Sequence, residues 1–380
     1  MSKRSFPVEY LSLLYSWGTA FCWGRAGNLI FLLRSFYKMN FFLSRKNCFI
    51  AAEISANHGG SLKRALSLIN KAKECGADGV KFQTYTPDTL TINCDNKYFK
   101  IKHPKWGGQT LYELYKDAYT PWAWFKKLKK RADDLGLVFF STCYDNTSVD
   151  FLEELRVPFH KIASFELVDI PLIEYMAKTG KPIILSTGMA DLMEIKLAVD
   201  SARLSGAKEI ALLKCVSGYP ASPEEMNLKT IIDMKKRFNL PVGLSDHTLG
   251  IGVALAAIPF GIFMIEKHFT LSRGDKSADS FFSMEPSEFK ALIDNARIAE
   301  NALGEIKYGL NEKEKASRIF RRSLFVIADM KKGEKFTIDN VRSIRPSNGL
   351  SPAEFKNIIG RQSKAAIKRG TPLTRGMVGR

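Results

Sequence analysis

The chain has 380 residues, enough for one large α/β domain and a smaller one, and its composition is that of an ordinary globular protein without a low-complexity tract or short repeat. Its six cysteines are scattered with no Cys-x-x-Cys pair, which argues against a cysteine-ligated zinc site or a disulfide framework and suits a reducing, cytoplasmic setting. The net charge of +18 is uneven: residues 322–380 carry thirteen Lys/Arg against four Asp/Glu, and the first 47 residues are also basic. No aromatic-basic interleaving, zinc finger or helix-turn-helix spacing goes with it. Small anionic substrates, rather than nucleic acid, are the expected partners.

In chain order, residues 1–47 read as an N-terminal extension, disordered or not native. Its uncharged stretch Tyr10–Trp23 and the run Leu29–Leu33 both fall short of the ~18 residues of a membrane span. Glu9 spoils the order of a signal peptide. The expectation is a translation start at Met39 and no membrane contact.

From residue 48 the chain alternates strand-like and helix-like segments. Strands are expected at Cys48–Ile54, Gly79–Gln83, Leu137–Ser141, Phe159–Ala163, Pro182–Ser186, Glu209–Cys215, Pro241–Ser245 and Ile262–Lys267. Helices are expected between them: Ser61–Cys75 with Gly76 as its stop, Pro121–Leu135 with Thr120 as N-cap, then 148–155, 171–178, 191–204, 227–238, 249–258 and 286–303. Eight βα units over about 255 residues have the rhythm of a TIM (β/α)8 barrel. No Gly-x-Gly-x-x-Gly follows the first strand, which disfavours a doubly wound sheet. Lys97–Gln109 interrupts the alternation and is expected to be a long loop over the site. The expected domains are 48–304 for the barrel, 305–321 for a charged linker and 322–380 for a small basic module.

All eight expected strands end in chemically useful residues. Strand one ends in Glu53 and leads to Asn57-His58, and strand two ends in Lys81 and Gln83. Later ends carry Thr142, Lys161 with Ser164 and Glu166, Ser186, Ser217 with Tyr219, then Ser245 with His247, and Glu266 with His268. Polar strand ends are common singly, but eight together point to an active site at the C-terminal barrel face. Lysines with hydroxyls suit a phosphate and a carboxylate. Two imidazoles on neighbouring strands suit one divalent ion that polarises a carbonyl. Glu53 and Glu166 are the general acid/base candidates. Two rival classes stay open: a Schiff-base aldolase acting through Lys161 or Lys267, and a binding protein with an inert barrel.

The words Ala-Glu53-Ile-Ser-Ala-Asn57-His58, Val-Lys81-Phe-Gln83-Thr, Lys161-Ile-Ala-Ser164-Phe-Glu166, Leu-Ser186-Thr-Gly-Met, Gly-Leu-Ser245-Asp-His247-Thr and Glu266-Lys-His268-Phe resemble those of the sialic acid synthase family. These are phosphoenolpyruvate-dependent condensing enzymes with a TIM barrel and a C-terminal antifreeze-like (SAF) domain. The resemblance spans about residues 48–376. Ser55-Ala-Asn-His58, Gln83-Thr-Tyr-Thr-Pro-Asp88, Leu111-Tyr-Glu-Leu-Tyr115 and Glu225-Met-Asn-Leu228 resemble its pseudaminic acid branch; the alternative is N-acetylneuraminate or legionaminate synthesis by the same chemistry.

The resemblance implies that Lys81, Thr142, Lys161, Ser164, Ser186, Ser217 and Ser245 bind phosphoenolpyruvate. It implies Mn²⁺ or Mg²⁺ on His247 and His268, and catalysis by these with Glu53 and Glu166. Asn57, Gln83, Tyr219, Asp279 and Arg345 would hold a diacetamido-trideoxy hexose. Cys143-Tyr144 stands where Pro-Phe is common in the family, and Ser217 where some members carry Asn. The resemblance also implies a domain-swapped homodimer in which the module carrying Arg345 covers the partner's barrel mouth.

Overall fold

The computed structural model describes residues 42, 45–103 and 105–379. The chain divides into two compact units at Gly304/Glu305. The expectation for residues 1–41 lies outside the described residues. Phe42 is described: its ring is 6.0 Å from Phe159 and 5.3 Å from Phe263, so part of the stretch read as extension packs on the barrel.

The first unit is a closed parallel barrel of eight strands in sequence order. They are β1 Phe49–Glu53, β2 Gly79–Thr84, β3 Val138–Cys143, β4 His160–Ile162, β5 Ile183–Ser186, β6 Ile210–Cys215, β7 Val242–Asp246 and β8 Met264–His268. Closure comes from β1 pairing with β8, Glu53 opposite His268. Each expected strand is present within a residue or two of its expected ends.

Period-two alternation sorts the strand residues onto two faces. Ile50, Val80, Phe139 and Leu244 point outward into the main core shared with the helices. Phe49, Ala51, Phe140, Ile184, Ala211, Leu213 and Met264 point inward and form a dry plug with Phe159. The next inward positions toward the C-terminal face are Glu53, Lys81, Thr142, Ser186, Cys215, Ser245 and Glu266. The apolar plug thus forms the floor under the polar strand ends. Gly79 and Gly243 are required at the plug: a Cβ would lie 2.6 Å from the Phe49 ring at the first, and 2.7 Å from Leu213 at the second.

The helices follow the apolar period. Leu62–Cys75 is capped by Ser61, which accepts from Arg64 N–H, and ended by Gly76 at φ 95°. The Pro121 segment departs from expectation. It opens as a 3-10 turn, Trp122–Trp124, before the helix Phe125–Asp134, and Thr120 does not cap it. The Thr120 hydroxyl instead meets His58 Nε2 at 3.1 Å. A helix the periodicity did not announce, Leu111–Ala118, follows the long loop and opens with a Thr110/Glu113 capping box.

The second unit contains an antiparallel pair, β9 Ser323–Val326 and β10 Val341–Ile344, over a core that includes Leu324, Phe336, Val341 and Leu373. Part of the expected linker is ordered as the helix Glu312–Ser317.

Phe140 is fully buried in the barrel plug. Phe140→Ala should lower unfolding free energy by about 3–5 kcal/mol in denaturant titration, through lost burial and the cavity left in the plug.

Candidate active site

A lysine between two carboxylates sits at the centre of the strand ends. Lys81 Nζ lies 2.7 Å from Glu53 Oε2 and 3.0 Å from Glu266 Oε1, and all three side chains are buried. Gln83 Nε2 donates to Glu53 Oε1 at 3.0 Å, and Ser245 Oγ donates to Glu266 Oε1 at 3.3 Å. Burial pulls the Lys81 ammonium down, but Glu266 and Glu53 together outweigh it and hold Lys81 charged above its ordinary range. Burial raises both carboxyls. At Glu266 the two lysines, Lys81 and Lys161, overcome that and keep it ionised. At Glu53 burial wins, with the Glu266 charge adding to it, so Glu53 is the carboxyl of the trio disposed to carry a proton.

Beside this trio is a site shaped for an anion. Lys161 Nζ donates to Ser186 Oγ at 2.5 Å and to the Ile162 carbonyl at 2.7 Å; burial lowers it to about 8, with Glu266 opposing the shift. Gly188 N–H donates to Ser164 Oγ at 3.0 Å. A Cβ on Gly188 would come within 2.3 Å of Ser217 Oγ and 2.7 Å of Ser164 Oγ, so the space over this glycine is reserved by hydroxyls. The hydroxyl oxygens of Thr142 and Ser217 are buried and have no hydrogen-bond partner, as does Glu266 Oε2. Buried hydroxyls left unpaired cost free energy unless a ligand completes them.

The imidazole pair stands on the same face, with ring centroids 5.3 Å apart. His247 Nδ1 is 2.8 Å from the Val216 carbonyl, which can only accept, so Nδ1 carries the proton and Nε2 a lone pair. His268 Nδ1 meets Ser55 Oγ at 3.3 Å, and Ser55 also donates to Asp279. Burial, with His247 nearby, pushes His268 well below its ordinary range and keeps it neutral. Burial also draws His247 down, but the Cys215 sulfur and Glu266 outweigh it. Two oriented imidazoles with a neutral member fit a divalent cation whose other positions go to water and substrate oxygen. Among the described residues no group of three or more His, Cys, Asp or Glu forms a metal cluster.

These groups open into a cavity of about 370 Å³ lined by eleven of the residues given a role from the sequence: Lys81, Gln83, Lys161, Ser164, Glu166, Ser186, Tyr219, Ser245, His247, His268 and Asp279. Burial raises Glu166 to about 7, and its Oε2 is buried without a partner. Glu53, Thr142 and Ser217 adjoin these groups: Glu53 is bound to Lys81, Thr142 lies opposite Lys161 across β3–β4, and Ser217 Oγ lies over Gly188.

One expected residue is placed elsewhere. Asn57 does not line the cavity: its amide donates to the Phe269 carbonyl at 3.0 Å and Ser283 Oγ at 2.8 Å, and accepts from Ser277 Oγ at 2.8 Å. Both amide hydrogens of Asn57 are thus spent on the 269–283 segment, and Asn57 holds that loop. Arg345, expected to serve the partner's barrel, is exposed just after β10 in the second unit. Of the two candidate Schiff-base lysines, Lys267 is turned away, bound to Asp246 at 2.7 Å and the Thr248 carbonyl at 2.6 Å.

Sequence reading left several lining residues without a role: Tyr85, Trp106, Tyr115, Tyr144, Cys215 and Glu266. Glu266 was visible as a polar strand end; the aromatics reach the cavity from loops, which periodicity does not report. Trp106 confirms the long loop as part of the site, donating from Nε1 to the Ala278 carbonyl at 2.9 Å.

The sequence model of the NeuB family matches residues 68–308, and that of the SAF domain residues 321–379. The chain is 43% identical over 335 residues to a pseudaminic acid synthase of Campylobacter jejuni, covering 88% of this chain and 98% of that protein. It is 38% identical over 337 residues to an N,N'-diacetyllegionaminic acid synthase of Legionella pneumophila, covering 87% and 94%. Among solved structures, an N-acetylneuraminic acid synthetase of Leptospira borgpetersenii in complex with citrate superposes with a TM-score of 0.63 at 33% identity, covering 71% of this chain and 90% of that one.

The hydroxyl-lined space over Gly188 carries a direct test. Gly188→Ala should raise the phosphoenolpyruvate KM by roughly 10-fold or more through loss of hydroxyl contacts. Sugar KM should change little in the same steady-state assay; equal rises in both would remove the anion assignment.

Proposed function

We propose, for a chain that belongs to the NeuB family and carries a SAF domain, that it is a pseudaminic acid synthase. It condenses phosphoenolpyruvate with 2,4-diacetamido-2,4,6-trideoxy-β-L-altropyranose and water to give pseudaminate and phosphate. The observation that carries the chemistry is the pairing of an anion site, with buried hydroxyls awaiting a ligand at Thr142 and Ser217, with two oriented imidazoles on the adjoining strand ends. The choice of sugar rests on the 43% identity to the pseudaminic acid synthase, against 38% to the legionaminic one.

In this reading Lys81, Lys161, Ser164, Ser186, Ser217, Thr142 and Ser245 hold the phosphate and carboxylate of phosphoenolpyruvate. C3 of the enol forms a bond to the aldehyde carbon of the open-chain sugar, and the aldehyde oxygen takes up a proton to become a hydroxyl. A water oxygen bonds to C2 and loses a proton. The C2–O bond to phosphate then breaks, its electron pair leaves with phosphate, and the C2 hydroxyl closes to the ketone. The trio Glu53–Lys81–Glu266 serves both ends of this sequence. Its ammonium offsets the crowding of anionic charge, and Glu53, whose proton affinity burial raises, suits proton traffic with the aldehyde oxygen or the water. A divalent ion, Mn²⁺ or Mg²⁺, held by His247 and His268 would supply polarisation of the aldehyde. Gln83, Tyr219, Glu166 and Asp279 line the cavity, and in this reading they hold the sugar.

The reading extends to a homodimer in which Arg345 reaches the sugar bound by the opposite protomer; its support is the exposed position of Arg345 and the family resemblance. It also places the protein in the cytoplasm, in keeping with the free cysteines at 48, 75, 94, 143 and 215. Among the described residues no helix is long and apolar enough to cross a membrane.

Phosphate release from phosphoenolpyruvate is the test. Release should depend on the diacetamido-trideoxy sugar, be much slower with N-acetylmannosamine, and stop with EDTA until Mn²⁺ or Mg²⁺ is restored. EDTA-insensitive turnover with borohydride-trappable pyruvate would transfer the chemistry to Lys161 and overturn the proposal.

A further inference from the structure

The cavity has two chemically distinct walls. At the strand ends lie its two lysines, Lys81 and Lys161, which are the only Lys or Arg among the lining residues. The opposing contribution comes from the segment after β2, chiefly the helix Leu111–Ala118. Leu111, Leu114, Tyr115 and Ala118 fall at i, i+3, i+4 and i+7, one stripe of a helix, and all four line the cavity. An apolar stripe on a barrel helix ordinarily packs against the strands. This one does not: no residue of the helix is fully buried, and none of the four belongs to the barrel core. The helix is capped, since Thr110 N–H donates to Glu113 Oε2 at 2.8 Å and Thr110 Oγ1 accepts from Glu113 N–H at 3.2 Å, and the Tyr115 ring lies edge-on to buried Tyr85 at 5.8 Å. A capped helix thus keeps an apolar face turned to the cavity, open to contact with a ligand.

We propose that this helix selects the far end of the sugar, accepting a 6-deoxy methyl terminus and disfavouring a hydroxymethyl or phosphorylated one. The inference rests on the synthase reading above. The aldehyde must lie at the strand ends, beside the imidazoles and the anion site, so C6 of the extended sugar lies at the other end of the cavity. Leu111, Leu114 and Ala118 offer a methyl group apolar contact and offer a C6 hydroxyl no partner. A C6 phosphate would find no cation there. It would meet instead Glu166, whose charge is felt at Tyr115 and Tyr144. The hydroxyls of the wall tyrosines suit the acetamido group, which sits nearer the middle of the chain.

The experiment compares kcat/KM for the 2,4-diacetamido-2,4,6-trideoxy sugar with that for its 6-hydroxy counterpart, in wild type, Leu114→Asn and Ala118→Ser. An apolar wall should favour the deoxy sugar by up to about 100-fold, the usual ceiling for rejecting an added hydroxyl. Leu114→Asn should reduce that ratio by roughly 10-fold, mostly by improving the hydroxylated sugar, and Ala118→Ser should shift it in the same direction. A rise in Tm on adding phosphoenolpyruvate reports that each variant is folded; should Leu114→Asn fail that check, Ala118→Ser decides. A wild type that uses both sugars equally, or folded variants that keep the wild-type ratio, would overturn the wall assignment and leave the family chemistry standing. A wild type that turns over neither sugar would instead overturn the synthase reading.

Discussion

The buried Lys81 between Glu53 and Glu266 is the interaction on which the rest of the site depends. A lone ammonium at that depth would lose its proton, and a lone carboxylate would gain one. Held together they keep one cation and one anion, with Glu53 left as the member most ready to exchange a proton. Removing one partner of such a buried group generally costs about 3–5 kcal/mol, because the others are stranded. The arrangement exists only because the barrel closes in register: Glu53 is paired with Lys81 across β1–β2, and Ser245 with Glu266 across β7–β8. A slip of one residue would turn every one of these side chains outward into the helices.

Around that centre the chain spends polar side chains on positioning. Ser55, at φ 42°, links His268 to Asp279 and so ties the β8 imidazole to the loop that follows it. Asn57 fastens that same loop through three hydrogen bonds. His58, which accepts from Gly60 N–H at 3.1 Å and donates to Thr120, is lowered to about 4 by burial and serves as a neutral strut. The segment from Ser55 to His58 is therefore scaffold for the imidazole side of the site.

How much of this was legible follows from where the information lies. Strand positions, barrel closure and the inward strand-end residues were readable, because period-two alternation and abrupt apolar-to-polar endings are local properties of sequence. Lys81, Lys161, Ser186, Ser245 and the histidine pair were found that way. Asn57 was given to the sugar and Thr120 to a helix cap because residue type allowed either role; only the positions of Phe269, Ser283 and His58 decide between them. Glu266 was seen at its strand end, yet its partnership with Lys81 depends on two strands distant in sequence. The helix Leu111–Ala118 is amphipathic over too few residues to stand out, and nothing local says that its apolar face looks onto a cavity instead of the core.

The central claim is that the lysine–carboxylate trio and its neighbouring hydroxyls bind phosphoenolpyruvate. Calorimetric titration of phosphoenolpyruvate into the protein without sugar tests it most directly, comparing wild type with Lys81→Met. One site per barrel, with affinity weakened by about 100-fold or more in the variant, is what a buried charge-assisted contact predicts. Equal affinity in a folded Lys81→Met protein would contradict the account.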